Sequence, residues 1–353
     1  MNELIPLIKL SQYAGMREDL VQAGGGNTSI KLDHQKMAIK SSGIQLADIS
    51  ANHGYSILDY RKISRFMETL ATDSSACSGS EILKEALIEG GRPSIETFLH
   101  AITGRVTLHV HAVAVNVLTS RKGGMEQIQK LFPDALLVGY ATPGLELAKL
   151  YYQTYLEESG KRGKTDFPII FLKNHGVIVS GNTAEEVICV MEEVTQKIEK
   201  AIGMDNTAYR RAFELYEYFI SCGFHDGKIV VKVENESVLN AFRSFNDSFW
   251  KHQICPDCIV FLGKKVLNYA THGQREKLQE FVHCHGIPVI IQDRKELFIR
   301  AESVKKAREI ESVLAFSARV ALFNREHPME LLTEEEQNFL LDWDAEKYRQ
   351  QIK

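Results

Sequence analysis

Residues 107–112 read Thr-Leu-His-Val-His-Ala, an alternation of apolar and imidazole-bearing positions with period two. Side chains on a strand point to opposite faces in turn. A strand here therefore sets Leu108, Val110 and Ala112 against His109 and His111. Two imidazoles side by side on one face can grip a single cation. A third, His175, lies in Asn174-His175-Gly176 between the apolar segments 169–172 and 177–179, both of which read as strands. Three imidazoles leave one coordination position open, as a catalytic zinc requires and a closed structural zinc does not; other divalent transition ions accept the same ligands. Glu96, just ahead of the strand, supplies a carboxylate that can move protons at a substrate such an ion polarises.

The remaining composition narrows the function classes. The chain has 353 residues, long for one domain and comfortable for two, with 44% hydrophobic and 25% charged residues. A net charge of -4 gives no electrostatic reason to expect nucleic acid or an anionic membrane as partner. No apolar run approaches the roughly 20 residues needed to span a bilayer, and Met1-Asn2-Glu3 does not open a signal peptide. Six cysteines are too sparse for a disulfide scaffold. A cytoplasmic location is the expectation.

Along the chain, residues 3–22 carry apolar positions at helical spacing with a break near Gly15. The glycine-rich turn Gly24-Gly25-Gly26 follows, and then a hairpin of strands at 30–32 and 37–40. Helices are expected at 58–71 and 94–103, after the strand 107–112 through Leu118, and from Thr183 to about Ile202. Beyond residue 225 the texture becomes a smaller α/β unit. Strands are expected at 228–233, 258–262 and 287–291, and helices at 236–245, 274–284 and 302–323. A last helix opens at Thr333, with Phe339, Leu340 and Trp343 as its apolar stripe. The predicted domains are 1–215 and 226–353. Trp250, Trp343, Tyr209, Tyr216 and Phe219 read as core or subunit contacts. Cys255-Pro256-Asp257-Cys258 has the spacing of a metal or redox pair, but Cys258 opening an apolar strand and Pro256 shaping a turn also fit structural roles.

Five motifs in order carry a family resemblance. They are Gly-Gly-Gly-Asn-Thr-Ser at 24–29, Ser-Ser-Gly at 41–43, Arg-Pro-Ser-Ile-Glu-Thr at 92–97, His-Val-His at 109–111 and Asn-His-Gly at 174–176. Together they resemble the class II aldolase/adducin family, most of all the aldolase portion of bifunctional rhamnulose-1-phosphate aldolase/alcohol dehydrogenases. The resemblance spans about residues 5–215. It implies a three-layer α/β/α core around a mixed, largely antiparallel sheet, followed here by the smaller α/β domain. It also implies a homo-oligomer, commonly a tetramer.

Position by position, the resemblance makes His109, His111 and His175 zinc ligands and Glu96 the catalytic carboxylate. Gly26, Asn27, Ser42, Gly43 and Ser94 match positions that hold a substrate phosphate. Backbone amides exposed at glycines, with small hydroxyl and amide side chains, suit a phosphate dianion. One departure stands at Ile95, where phosphate-binding members carry a second serine, so one hydroxyl donor is missing. The implied activity is cleavage or formation of a carbon–carbon bond in a small ketose 1-phosphate through a metal-stabilised enediolate. A sugar-phosphate 4-epimerase, a dehydratase and a non-catalytic adducin-like interaction protein are the alternatives on the same scaffold.

Overall fold

The computed structural model describes residues 2–72, 79–245 and 253–342, which divide into two compact units meeting in sequence between Asn206 and Thr207. Trp250 and Trp343 lie outside the described residues.

The first unit is built on one sheet. Its strands are β1 (Asn27–Lys31), β2 (Lys36–Lys40), β3 (Tyr55–Asp59), β4 (Leu87–Gly90), β5 (Val106–Val110), β6 (Leu136–Val138), β7 (Ile169–Leu172) and β8 (Gly176–Gly181), in the order β4-β3-β2-β1-β5-β8-β7-β6. All neighbours pair antiparallel except β6 with β7. The expected mixed, largely antiparallel sheet is the one found.

Its two faces are covered by different helices. Tyr60–Thr72, Thr97–Ala101 and Leu145–Arg162 pack together over one face. There Ile63, Met67 and Leu147 share a core with Met37 and Ile39 of β2 and Ile178 of β8. Ile5–Gly15, Val113–Thr119 and Ala184–Ile202 form a second group, in contact with β1, β5 and β8. Period-two alternation explains the division: Ile178 joins the first core, while its buried neighbours Val177 and Val179 do not. The helix Ala184–Ile202 starts where the sequence signal put it, with Thr183 Oγ1 accepting the Glu186 amide at 3.1 Å.

Three local expectations need correction here. Residues 58–59 belong to β3, and the helix begins only at Tyr60. The helix expected over 94–103 is the short Thr97–Ala101, with Glu96 at its N-cap position. The strand expected to reach Ala112 stops at Val110, so His111 lies one residue past its end.

The second unit carries a sheet of β9 (Ile229–Lys232), β10 (Leu267–Asn268), β11 (Ile290–Asp293) and β12 (Glu296–Ala301), ordered β10-β11-β12-β9. The helix Thr207–Ser221, which runs across the expected domain limit at 215, lies wholly in this unit and packs on β9. Phe219 is core and Tyr216 packs against it. The strand expected at 258–262 is a helix, Pro256–Leu262. Pro256 at its first turn and Gly263 at its end punctuate it, and the pattern of buried Cys258, Ile259 and Leu262 is helical. No helix among the described residues is long and apolar enough to cross a membrane.

Candidate metal centre

Sheet order brings the distant histidines together. β5 lies between β1 and β8, with His109 opposite Asn27 on one side and Ile178 on the other. His175 sits in the turn between β7 and β8, where Asn174 takes a left-handed backbone at φ 54°. Gly176 then passes so close to β5 that an added Cβ would stand 2.2 Å from Val110 O. Only glycine permits that approach, and it sets His175 beside the end of β5. Asn116 Nδ2 donates to His175 O at 3.1 Å and anchors the turn from the following helix. Sequence reasoning did not single out Asn116, because nothing local links it to the turn.

The three imidazole centroids lie 5.1 Å (His109–His111), 5.0 Å (His109–His175) and 4.9 Å (His111–His175) apart. One ligand atom each from Glu96, His109, His111 and His175 falls within 4.8 Å of all the others, a set that could hold a metal ion. His111 joins it although it lies beyond the strand.

The donor chemistry fits a cation. His109 Nδ1 lies 3.1 Å from Val177 O, which can only accept, so that nitrogen carries the proton and Nε2 presents its lone pair inward. His109 Nε2 and His175 Nε2 are 3.3 Å apart. Two nitrogens about 2.05 Å from a tetrahedral zinc are separated by about 3.3 Å, so the pair needs no rearrangement to share one. His111 Nε2 is buried with no hydrogen-bond partner among the described residues. Burial, followed by repulsion from His109 and His175, lowers its pKa to about 4, which keeps the ring neutral and ready to ligate.

Glu96 stands against this group. Its Oε1 is 2.9 Å from His175 Nε2 and 3.6 Å from His109 Nε2, while Oε2 accepts a hydrogen bond from Asn27 Nδ2. Burial opposes ionisation, but the adjoining His109 and His175 imidazoles outweigh it. The carboxyl is held well below the usual carboxylate range. Ser94 Oγ accepts from the Glu96 amide at 3.3 Å, fixing the turn that carries it.

The other predicted site residues lie on three adjoining segments. Lys40 Nζ donates to Gly24 O at 3.0 Å, tying the end of β2 to the glycine-rich turn. Ser42 N donates to Arg92 O at 2.7 Å, and Ser41 bridges to Pro93. Gly26 has φ +72°, and an added Cβ would lie 2.8 Å from Val21 Cγ1 and 3.0 Å from His109 O, so glycine is required twice over.

Ser42 and Arg92 help line a space of about 360 Å³, whereas Asn27 and Ser94 turn toward Glu96. Ile95 is exposed beside Gly144. Neither Asn27's contact with Glu96 nor Ser94's is visible in the sequence; both follow from strand pairing and the turn.

Fold and site thus define a mixed-sheet α/β protein with a three-histidine, one-carboxylate centre. Residues 7–202 match the family described as Class II Aldolase and Adducin N-terminal domain, and the chain belongs to that family. No curated protein matches it. Among solved structures, the chain is similar to the N-terminal class II aldolase domain of a conserved protein from Thermoplasma acidophilum. Identity there is 25%, over 56% of this chain and 92% of that one, with a TM-score of 0.48. It is also similar to L-fuculose-1-phosphate aldolase from Thermus thermophilus (15% identity, 64% and 100% covered, TM-score 0.34). A third is a sugar-phosphate aldolase from Thermotoga maritima (14%, 64% and 98%, 0.38).

Proposed function

We propose that this chain is a zinc-dependent aldehyde-lyase that cleaves or forms a carbon–carbon bond in a small ketose 1-phosphate. The observation that carries this reading is the meeting of the Glu96 carboxylate with three imidazoles within 4.8 Å of one another. His109, His111 and His175 would hold a divalent cation, and when bound it would supply Lewis-acid stabilisation of negative charge on a carbonyl oxygen. Glu96 exchanges the proton on the carbon next to that carbonyl. Asn27 holds Oε2, while Oε1 lies against His175 and His109, which keeps the carboxylate beside the place where a chelated substrate would sit. Burial of His109 and Glu96 keeps bulk water from competing for the proton.

The phosphate anchor in this reading is the cluster of adjoining segments bearing Gly26, Asn27, Ser42, Gly43 and Ser94. Asn27 and Ser94 belong both to that anchor and to the Glu96 surroundings, so substrate seating and carboxylate orientation are coupled. The working form is a homo-oligomer, a tetramer by family resemblance, which light scattering of the purified protein checks.

Incubating zinc-loaded protein with ketose 1-phosphates and pentulose 5-phosphates, with products followed by NMR, tests the reaction. Aldehyde and dihydroxyacetone phosphate in equal amounts support the lyase. An epimeric pentulose phosphate assigns a 4-epimerase, and loss of water assigns a dehydratase. No turnover of any substrate by zinc-replete protein points to an interaction protein on this scaffold.

A further inference from the structure

The second unit holds a pair of nucleophilic side chains that the proposed reaction does not use. Cys255 and Cys258 flank Pro256-Asp257 at the start of the helix Pro256–Leu262, and their Sγ atoms are 3.6 Å apart. Both are free thiols. Cys255 has extended backbone (φ -156°, ψ 166°), and the Cys258 amide donates to Cys255 O at 3.1 Å, which folds the two side chains over one turn. A disulfide needs the sulfurs about 2.05 Å apart, so closure asks for about 1.5 Å of approach, within reach of side-chain rotation.

The two thiols differ in access. Cys255 is partly exposed, whereas Cys258 is fully buried. Among the described residues no third histidine, cysteine or carboxylate joins them in a ligand cluster, so the pair lacks the donor set of a structural zinc site.

We propose that Cys255 and Cys258 are a reversible dithiol–disulfide site, in which the exposed Cys255 exchanges with an external low-molecular-weight disulfide and the buried Cys258 resolves the mixed disulfide. In the first step the Cys255 thiolate attacks one sulfur of the external disulfide, forming Cys255–S–S–R and releasing RS⁻. In the second, Cys258 Sγ attacks Cys255 Sγ and expels the second RS⁻. Two protein thiols are oxidised, one external disulfide is reduced to two thiols, and the two protein protons pass to the released thiolates. Burial pushes the Cys258 thiol up to about 11, which suits a sulfur that stays protonated until its partner is engaged. The helix they open packs on Val304–Phe323 and Glu334–Asp342, so the bond would form at a point where three elements of the second unit meet.

The test uses the whole chain equilibrated with glutathione at graded ratios of oxidised to reduced form, followed by acid quench, alkylation and peptide mass spectrometry. The expected result is a single two-electron transition that yields a Cys255–Cys258 cross-linked peptide two hydrogens lighter than the dithiol. Dithiothreitol should reverse it fully, and the double variant Cys189→Ser with Cys284→Ser, which replaces the two exposed cysteines among the described residues, should leave it unchanged. Cys258→Ser should instead stop at a glutathione adduct on Cys255. The proposal is overturned if wild-type protein stops at that adduct, if Cys255 pairs with another cysteine, or if both thiols still alkylate at the most oxidising ratio.

Discussion

Replacing Gly176 with alanine probes how closely the ligand geometry depends on strand approach. An added Cβ would stand 2.2 Å from Val110 O and 3.1 Å from Val110 C. A carbon–oxygen contact settles at about 3.3 Å, so β5 and β8 must separate locally by about 1 Å. Those two strand ends carry His109, His111 and His175 between them. Overpacking of this kind costs about 1–3 kcal/mol of stability. Displacement of ligands or their supports lowers metal affinity by about 10- to 100-fold, and a misplacement of about 1 Å at the reacting groups costs about 10²-fold in rate. The assay is zinc competition against a chromogenic chelator, paired with urea unfolding of the metal-free protein and turnover at saturating zinc.

Gly160→Ala is the control. It lies in the helix Leu145–Arg162, nothing sits within 4 Å of its added Cβ, and alanine there should stabilise by about 0.5–1 kcal/mol without changing zinc affinity. If Gly176→Ala folds and binds zinc as tightly as wild type, the close approach of β5 and β8 does not govern the site, and the reasoning fails.

Two further outcomes follow from the same geometry. Glu96→Gln should keep its zinc while turnover falls by about 10²- to 10⁴-fold, because it retains the Asn27 contact but cannot accept a proton; near-normal turnover removes Glu96 from its role. His100 is fully buried beside Ser29, and burial lowers its pKa to about 3 from 6.5, so the folded chain binds fewer protons than the unfolded chain between those values. The stability associated with neutral His100 is therefore full above pH 6.5 and is lost as pH falls toward 3. Urea midpoints of metal-free protein should fall over that window and should fall less steeply in His100→Asn; equal slopes contradict the assignment.

What was legible in the sequence follows the reach of each signal. The histidine strand, the β7–β8 pair and the capped helix at Thr183 were readable because alternation, glycine placement and capping act within a few residues. β3 was missed because Leu58 precedes Ile63, Met67 and Leu70 at helical spacing, so strand and helix merge into one apolar pattern. The hairpin joining β11 to β12 carries no Gly or Asn turn signal: Arg294 takes the left-handed position at φ 56°. Residues 258–262 are β-branched and aromatic enough to pass for a strand, and packing against Val304–Phe323 prevails over that propensity. At the site, residue types disclosed the metal cluster, whereas Asn27 beside Glu96 and Asn116 under His175 depend on which strands and helices become neighbours.

Metal content decides whether His109, His111 and His175 act together as ligands. Wild-type protein and the single variants His109→Ala, His111→Ala and His175→Ala should be stripped, reloaded with zinc, gel-filtered and measured by plasma mass spectrometry alongside circular dichroism. One zinc per wild-type chain is expected, with a loss of about 10²-fold or more in affinity for each folded variant. Wild-type protein that retains no divalent ion, or a folded His175→Ala that holds one equivalent at wild-type affinity, contradicts this joint ligation.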